Sequence, residues 1–487
     1  MNIDYHAISP VLILSATILI VLVTDLFLSP RRKAASMWVS LVGVLATLAA
    51  VLSLVGGGVR VTFGGVYVVD SFTLVFQAFF MGAAAVVLLI SYRYLRDGGF
   101  YQGEYYFLLL TSFLGCLLMP ASRDLLMLFL SLELVSAPGF LMAAFRKADV
   151  KGNEGGLKFF LIGVLSTAVM LYGMSLIYGL TGSLHLDAVA RGLSTISGPK
   201  ETLADVAILF VVVGFAFKVS AVPFQFWAPD TYEGAPVPVA AFLAVASSAA
   251  GFAGLLQLMF VAFVHQYAFW VPMFVALSLV TMTLGNLVAL QQRQVVRLLA
   301  YSGIAQAGYI LLPFALVSAD ASVNRNAFQA AVTYILIYGI MNLGAFAVTT
   351  AVSRRSPGLQ IKDFAGLART ATLLAVAMTV FMVSLAGVPP TAGFWGKLLI
   401  FQAAIDRGGV GVWLAIAMVI NSVISVGYYF AIPRAMIFED PVDDRPLHSP
   451  ILVTAVVATA MVALIVLFVL PDAVYHLGQV SSLAFGG

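Results

Sequence analysis

The chain has 487 residues, of which 62% are hydrophobic and 10% charged, with a formal charge of +3 and a mean hydropathy of +1.04. A soluble domain carries about 25% charged residues, so the composition excludes a soluble enzyme with a simple anchor, and the small, dispersed charge excludes nucleic acid as a partner. The single cysteine, Cys116, lies in an apolar run and leaves no disulfide framework or cysteine metal site to build.

A bilayer span takes about 20 mainly apolar residues. That template predicts about fourteen spans, near residues 10–28, 36–56, 70–92, 104–120, 124–145, 156–180, 203–222, 238–264, 269–290, 296–316, 327–352, 371–402, 410–434 and 450–475. The stretch "MNIDYHAIS" ahead of the first span lacks a basic segment, and no small-residue cleavage site follows the span, so it reads as a retained helix. The turn "PASRD" (Pro120 to Asp124) is the one break between the fourth and fifth spans. Fifteen lysines and arginines fall on odd-numbered loops against six on even-numbered ones, which predicts odd loops in the cytoplasm and both termini outside. No loop is long enough for an inserted soluble domain, so no nucleotide, flavin or iron–sulfur site is expected within this chain. The fold class predicted is an all-α polytopic membrane protein.

Four ionisable residues stand out inside the spans. Glu133 is centred in "LLMLFLSLELVSAPGF" of the fifth, Lys158 lies near the start of the sixth, Lys218 in the seventh and Lys397 in the twelfth. A charged group at the centre of a span costs about 2.5–3.5 kcal/mol even on insertion scales, and the common functional reason for tolerating it is a proton relay or ion path. Each has a plainer reading. Glu133 and Lys218 also fit a structural ion pair between two helices, and Lys158 is near enough to its helix end to snorkel. Asp25 reads as interfacial, while Asp230 and Glu233 read as loop charges or water-lining groups.

Two of these lysines accompany broken helices. "GFAFKVSAVPFQFWAPDTYEGAPVPVAAFL" carries Pro223, Pro229, Pro236 and Pro238 after Lys218, and "AGVPPTAGFWGK" carries Pro389 and Pro390 before Lys397. Proline breaks the helical ladder, and backbone groups freed in hydrocarbon must be satisfied by protein or water. The two breaks lie about five spans apart. Paired interruptions at matching positions point to inverted repeats, here spans 4–8 and 9–13. The expected organisation is a three-helix segment over 1–103, repeats over 104–264 and 269–434, and a C-terminal helix within 435–487.

These stretches, together with "EGGLKFFLIG", "VVRLLAYSGIAQAGYILL" and "MNLGAFAV", resemble the antiporter-like membrane subunits of proton-pumping NADH–quinone oxidoreductase, respiratory complex I. The resemblance runs from the first span to the last. The span count, with no long C-terminal lateral helix, is that of the subunit N family rather than its larger sibling; subunit M also has fourteen spans. The resemblance implies fourteen helices with two inverted five-helix repeats, and proton movement driven by NADH oxidation elsewhere in the complex. FMN, iron–sulfur clusters and quinone would then be bound by other subunits, and the partners would be a neighbouring antiporter-like subunit, small helical subunits and the lipid of a bacterial inner membrane. Glu133, Lys218 and Lys397 match the family's relay carboxylate and lysines, and Lys158 matches a sixth-helix lysine. Three positions depart from it. Gln225 and Gln306 stand where the family often has histidine, and Ser248 stands where it usually has lysine. The eighth span carries no ionisable residue, and glutamine and serine order water but store no charge. The expectation is a route bridged by water held at Gln225, Ser248, Tyr301 and Gln306; an altered or interrupted route is the other reading. Two further readings use the same fold: a subunit of a sodium–proton antiporter complex, and a structural member of the oxidoreductase that does not pump.

Overall fold

The computed structural model describes residues 3–29, 33–98 and 103–480; Arg31 and Arg32, counted above on the first loop, lie outside the described residues. Helices α1 (Ser9–Phe27) and α2 (Ala34–Ser53) pack on each other at one edge. A small antiparallel hairpin follows, β1 (Arg60–Thr62) and β2 (Tyr67–Val69), with Arg60 opposite Val69. It leads into α3 (Ser71–Asp97), then α4 (Glu104–Leu118), α5 (Leu125–Ala143) and α6 (Val150–Thr181). Aspartates start three of these four helices. Asp70 accepts from the amide of Thr73 at 2.9 Å, Asp124 from Leu126 at 2.9 Å, and Asp149 from Lys151 at 3.1 Å, each supplying an acceptor that the first helical turn lacks. Helix α6 stops at Gly182, whose φ of 69° is the left-handed conformation that glycine adopts without strain.

The amphipathic α7 (Leu186–Ser194) and the half-helix α8 (Pro199–Lys218) come next, followed by α9 (Trp227–Gly234), α10 (Val237–Phe242) and α11 (Ser248–Gln257). The second half contains α12 (Tyr267–Ala289), α13 (Val295–Leu311), α14 (Ala321–Ser353), α15 (Leu367–Thr370), the half-helices α16 (Thr372–Ala386) and α17 (Ala392–Arg407), α18 (Val410–Tyr429), α19 (Ala431–Phe438), α20 (Ile451–Val469) and α21 (Pro471–Val480). Among the described residues twelve helices are long and apolar enough to cross a membrane. They match the predicted spans except the seventh and twelfth, which are the two broken ones, α8/α9 and α16/α17. The predicted eighth span is one continuous rod, but a π turn at Leu243–Ser247 joins α10 to α11 and a second follows at Leu258–Ala262. Apolar periodicity carries no signal for either.

Burial locates the centre of the bundle. The eighth span and α14 are each 94% buried, whereas α1 and α20 are 28% and 22% buried and present apolar side chains outward. Two isolated β-bridges mark internal symmetry. Asp124, before α5, pairs with His185, after α6; Gln294, before α13, pairs with Gln360, after α14. The first bridge lies on an even-loop face and the second on an odd-loop face, which is the arrangement an inverted repeat gives.

Candidate functional site

The first helix break is built from residues of both halves. Helix α8 ends at Lys218, and the irregular stretch before α9 is held by the amide of Val222 donating to Thr281 Oγ1 of α12 at 3.0 Å and by Trp227 Nε1 donating to the carbonyl of Phe217 at 3.3 Å. The backbone left open by Pro223 is thus satisfied by protein groups inside the bundle. Lys218 is 2% exposed. Its ammonium donates to Ser136 Oγ at 2.8 Å and makes no ion pair among the described residues. Ser136 lies one turn beyond Glu133 on α5, so the two share a helix face, and Oε1 of Glu133 is buried without a hydrogen-bond partner. Serine therefore stands where the sequence leads one to expect direct carboxylate contact. The lysine stem runs past Gly251 of α11, where a Cβ would come within 2.9 Å of its Cγ.

The second break holds its lysine by the carbonyls that it frees. Helix α16 ends at Gly387 with φ of 83°. The carbonyl of Ala386 accepts from Lys397 Nζ at 3.0 Å, and that of Leu385 accepts from Gln306 Nε2 at 3.0 Å. Ser422 Oγ lies 3.3 Å from the ammonium, and the Tyr309 ring faces it with its centroid 4.6 Å away. Gly387 is required twice, by its φ and because a Cβ there would sit 2.5 Å from Lys397 Cδ. Both buried lysines share one electrostatic device. Lys218 closes the last turn of α8, and the Lys397 ammonium meets the last carbonyl of α16, so each cation sits at the negative end of a half-helix, an interaction worth up to about 2 kcal/mol when partly buried.

Between the lysines runs a buried polar cluster. Gln306 also donates to Tyr429 Oη at 2.9 Å and accepts from the hydroxyl of Tyr334, and Tyr429 shares a hydrogen bond with Ser302 at 2.6 Å. Asn286 donates to Tyr309 Oη at 3.1 Å and accepts from Tyr428 at 2.9 Å. Ser248 donates to the carbonyl of Leu243 at 3.1 Å, in the π turn. Gln225, in the first break, has a buried Oε1 without a partner. Tyr301 lies half-buried against the apolar core, outside this cluster.

Lys158 occupies a different setting. It is 40% exposed and contacts Glu154 at 2.7 Å and Asp230 at 2.6 Å. Arg297, on the first turn of α13, contacts Asp230 at 2.7 Å and Glu233 at 2.9 Å, and Lys151 contacts Glu233 at 2.8 Å. The result is a six-membered ion network on the odd-loop face that joins α6, α9 and α13. Sequence reading named Tyr301 but omitted Arg297, Ser136 and the tyrosines of the buried cluster. Their signals were present: Ser136 is three residues from Glu133, and Tyr334, Tyr338 and Asn342 repeat at four-residue spacing along one helix face.

Among the described residues no cluster of histidine, cysteine, aspartate and glutamate is grouped to hold a metal ion. The arrangement offers buried ionisable groups linked to hydrogen-bonded neighbours.

Comparison with known proteins places this geometry. Residues 122–425 match the family model described as NADH:quinone oxidoreductase/Mrp antiporter, TM. The chain is 42% identical to NADH-quinone oxidoreductase subunit N 2 of Streptomyces griseus over 90% of this chain and 84% of that one. It is 39% identical to NADH-quinone oxidoreductase subunit N of Trichlorobacter lovleyi, over 94% and 93%. Among solved structures, a chain of respiratory complex I from Thermus thermophilus superposes with a TM-score of 0.79 at 31% identity, covering 98% of this chain and all of that one. A chain of the Mrp complex from Dietzia superposes with a TM-score of 0.86 at 20% identity, covering 98% and 97%, a likeness of fold alone.

Proposed function

The chain belongs to the NADH:quinone oxidoreductase/Mrp antiporter membrane family, in its subunit N branch, and from that premise we propose that it moves protons across a bacterial cytoplasmic membrane while its complex passes electrons from NADH to quinone. It is a membrane-arm subunit, and the redox groups, FMN, iron–sulfur clusters and quinone, belong to other subunits. The observation that carries the reading is the pair of ammonium groups, Lys218 and Lys397, each buried at the end of a broken half-helix and held by groups that do not neutralise it.

A buried cation with a hydroxyl or carbonyl partner is poised to lose its proton when its surroundings change, because desolvation favours the neutral amine and an approaching carboxylate favours the charged one. Glu133 is the carboxylate for Lys218, and Ser136, one turn along the same helix face, accepts from the ammonium while its own hydroxyl donates to the carbonyl of Leu132. Lys158 and its acidic partners stand at the odd-loop face, where the proton enters the first repeat. Gln225, Ser248 and Gln306 order the water that carries it between the lysines, and Lys397 releases it. Residues 104–264 and 269–434 form the two repeats, both termini lie outside, and a second antiporter-like subunit and small helical subunits flank the chain.

The test is purification from native membranes in a gentle detergent. The expected particle is large, carries flavin and iron–sulfur absorbance, and oxidises NADH with a quinone. A particle of polytopic subunits without redox centres would overturn the reading in favour of a sodium–proton antiporter complex.

A further inference from the structure

The middle of the path contains a cavity that the relay reading leaves unassigned. It lies where the first break meets the eighth span, α13 and α14, and Ser220, Tyr232, Ser248, Gly303 and Tyr338 are in its wall. Its room for water centres is about 10 Å³, close to the roughly 10–15 Å³ that one water requires. A water also needs two to four polar partners, and four hydroxyls border this space.

Three observations independent of the volume point to an occupant. The hydroxyl of Ser220 is buried with no protein partner, although buried polar atoms are almost always paired. Ser220 also holds a φ of 57°, a left-handed conformation uncommon for serine, so the backbone is strained at the residue whose side chain reaches this space. On the facing side, the π turn at Leu243–Ser247 shifts the carbonyl register, a feature frequent at functional sites. Tyr338 donates to the carbonyl of Ala244 in that turn at 3.3 Å, a long contact, and accepts from Asn342 Nδ2 at 2.7 Å. The donated bond is long and the accepted bond short, so the Tyr338 oxygen is fixed in place.

We propose that one ordered water, held by Ser220, Ser248, Tyr232 and Tyr338, joins the two repeats, and that the Tyr338 hydroxyl passes the proton across in place of an ionisable side chain on the eighth span. The inference rests on the relay reading above. The hop conserves charge: the water takes a proton from the Lys218 side and releases another to Tyr338 Oη, and Tyr338 gives up its own hydroxyl proton toward the second repeat. Tyr334, one turn earlier on α14 and hydrogen-bonded to Gln306, takes that proton and gives up its own in turn, so the water and both tyrosines end neutral and the proton passes from the Lys218 ammonium to the Lys397 amine. Tyr338 thus becomes a relay residue, Ser220 a positioning residue for the water, and Tyr301 is left outside the path.

Two variants of the intact complex in sealed vesicles test this, read as protons moved per NADH oxidised. Tyr338→Phe removes one oxygen. Gly303→Ala removes no polar atom but places a Cβ 3.1 Å from Tyr338 Oη, inside the space for the water. Both are expected to lower proton movement by about tenfold or more, against the roughly 10²–10⁴-fold that a positioned proton-transfer group is worth. Lys218→Met is the reference. If it stops proton movement and Tyr338→Phe does not, this inference falls and the relay reading stands; if Lys218→Met itself moves protons normally, both fall. A high-resolution map of the complex is expected to show water density between Ser220 and Tyr338, and a dry cavity overturns the proposal whether or not Gly303→Ala assembles.

Discussion

Replacing Lys218 by methionine separates a relay from a structural ion pair, because the two assign opposite consequences to the same atom. A lysine at mid-span costs about 2.5–3.5 kcal/mol on insertion scales. In this fold the cost is offset by one charge-assisted hydrogen bond, to Ser136 at 2.8 Å, worth about 1.5–3 kcal/mol, and by the end of α8, worth up to about 2 kcal/mol. Those terms nearly cancel, and methionine fills the same volume beside Gly251. The variant is therefore expected to assemble in wild-type amounts with stability unchanged to within about 1.5 kcal/mol, the usual limit for a volume-conserving swap. A buried ion pair behaves otherwise: removing one partner strands the other charge and costs about 3–5 kcal/mol. The assay pairs native-gel quantification of the assembled complex with proton uptake into vesicles per NADH oxidised. Normal assembly with proton uptake lost supports the relay. Normal uptake would refute it, and loss of the assembled complex would return Glu133 and Lys218 to the structural pair.

Other substitutions follow from the same geometry. Gly387→Ala is expected to disturb Lys397, since it adds about 1–2 kcal/mol of left-handed strain and a Cβ 2.5 Å from the lysine stem; proton uptake should fall, and an unchanged rate would show that the stem position is unimportant. Ser248→Ala combined with Gln306→Leu is expected to slow proton uptake further than either alone, and a double variant that pumps normally would remove both from the route. Arg297→Gln leaves Asp230 and Glu233 without their shared cation and is expected to lower the thermal stability of the purified complex. Lys151→Gln, at a 74% exposed lysine, is expected to change it by less than about 1 kcal/mol; equal effects would mean that the network adds nothing beyond surface pairing.

The sequence by itself determined which segments span the membrane, where two of them break, and which charges lie within them. Transfer free energy belongs to each residue and its near neighbours, so hydropathy locates spans, and proline removes a donor wherever it stands. The two spans that carry Lys218 and Lys397 were legible for that reason. Only the tertiary structure decided what those charges touch. The partner of Lys218 is Ser136, 82 residues away; Gln306 meets Tyr429 across 123 residues, and Tyr338 meets Ala244 across 94. The π turns in the eighth span and the union of Lys158 with Asp230 and Arg297 belong to the same class. Hydrogen bonds and ion pairs are directional and short, so they depend on the rotation and register of helices packed from distant parts of the chain. Apolar burial, which drives that packing, is non-directional and leaves no mark of register in the order of residues.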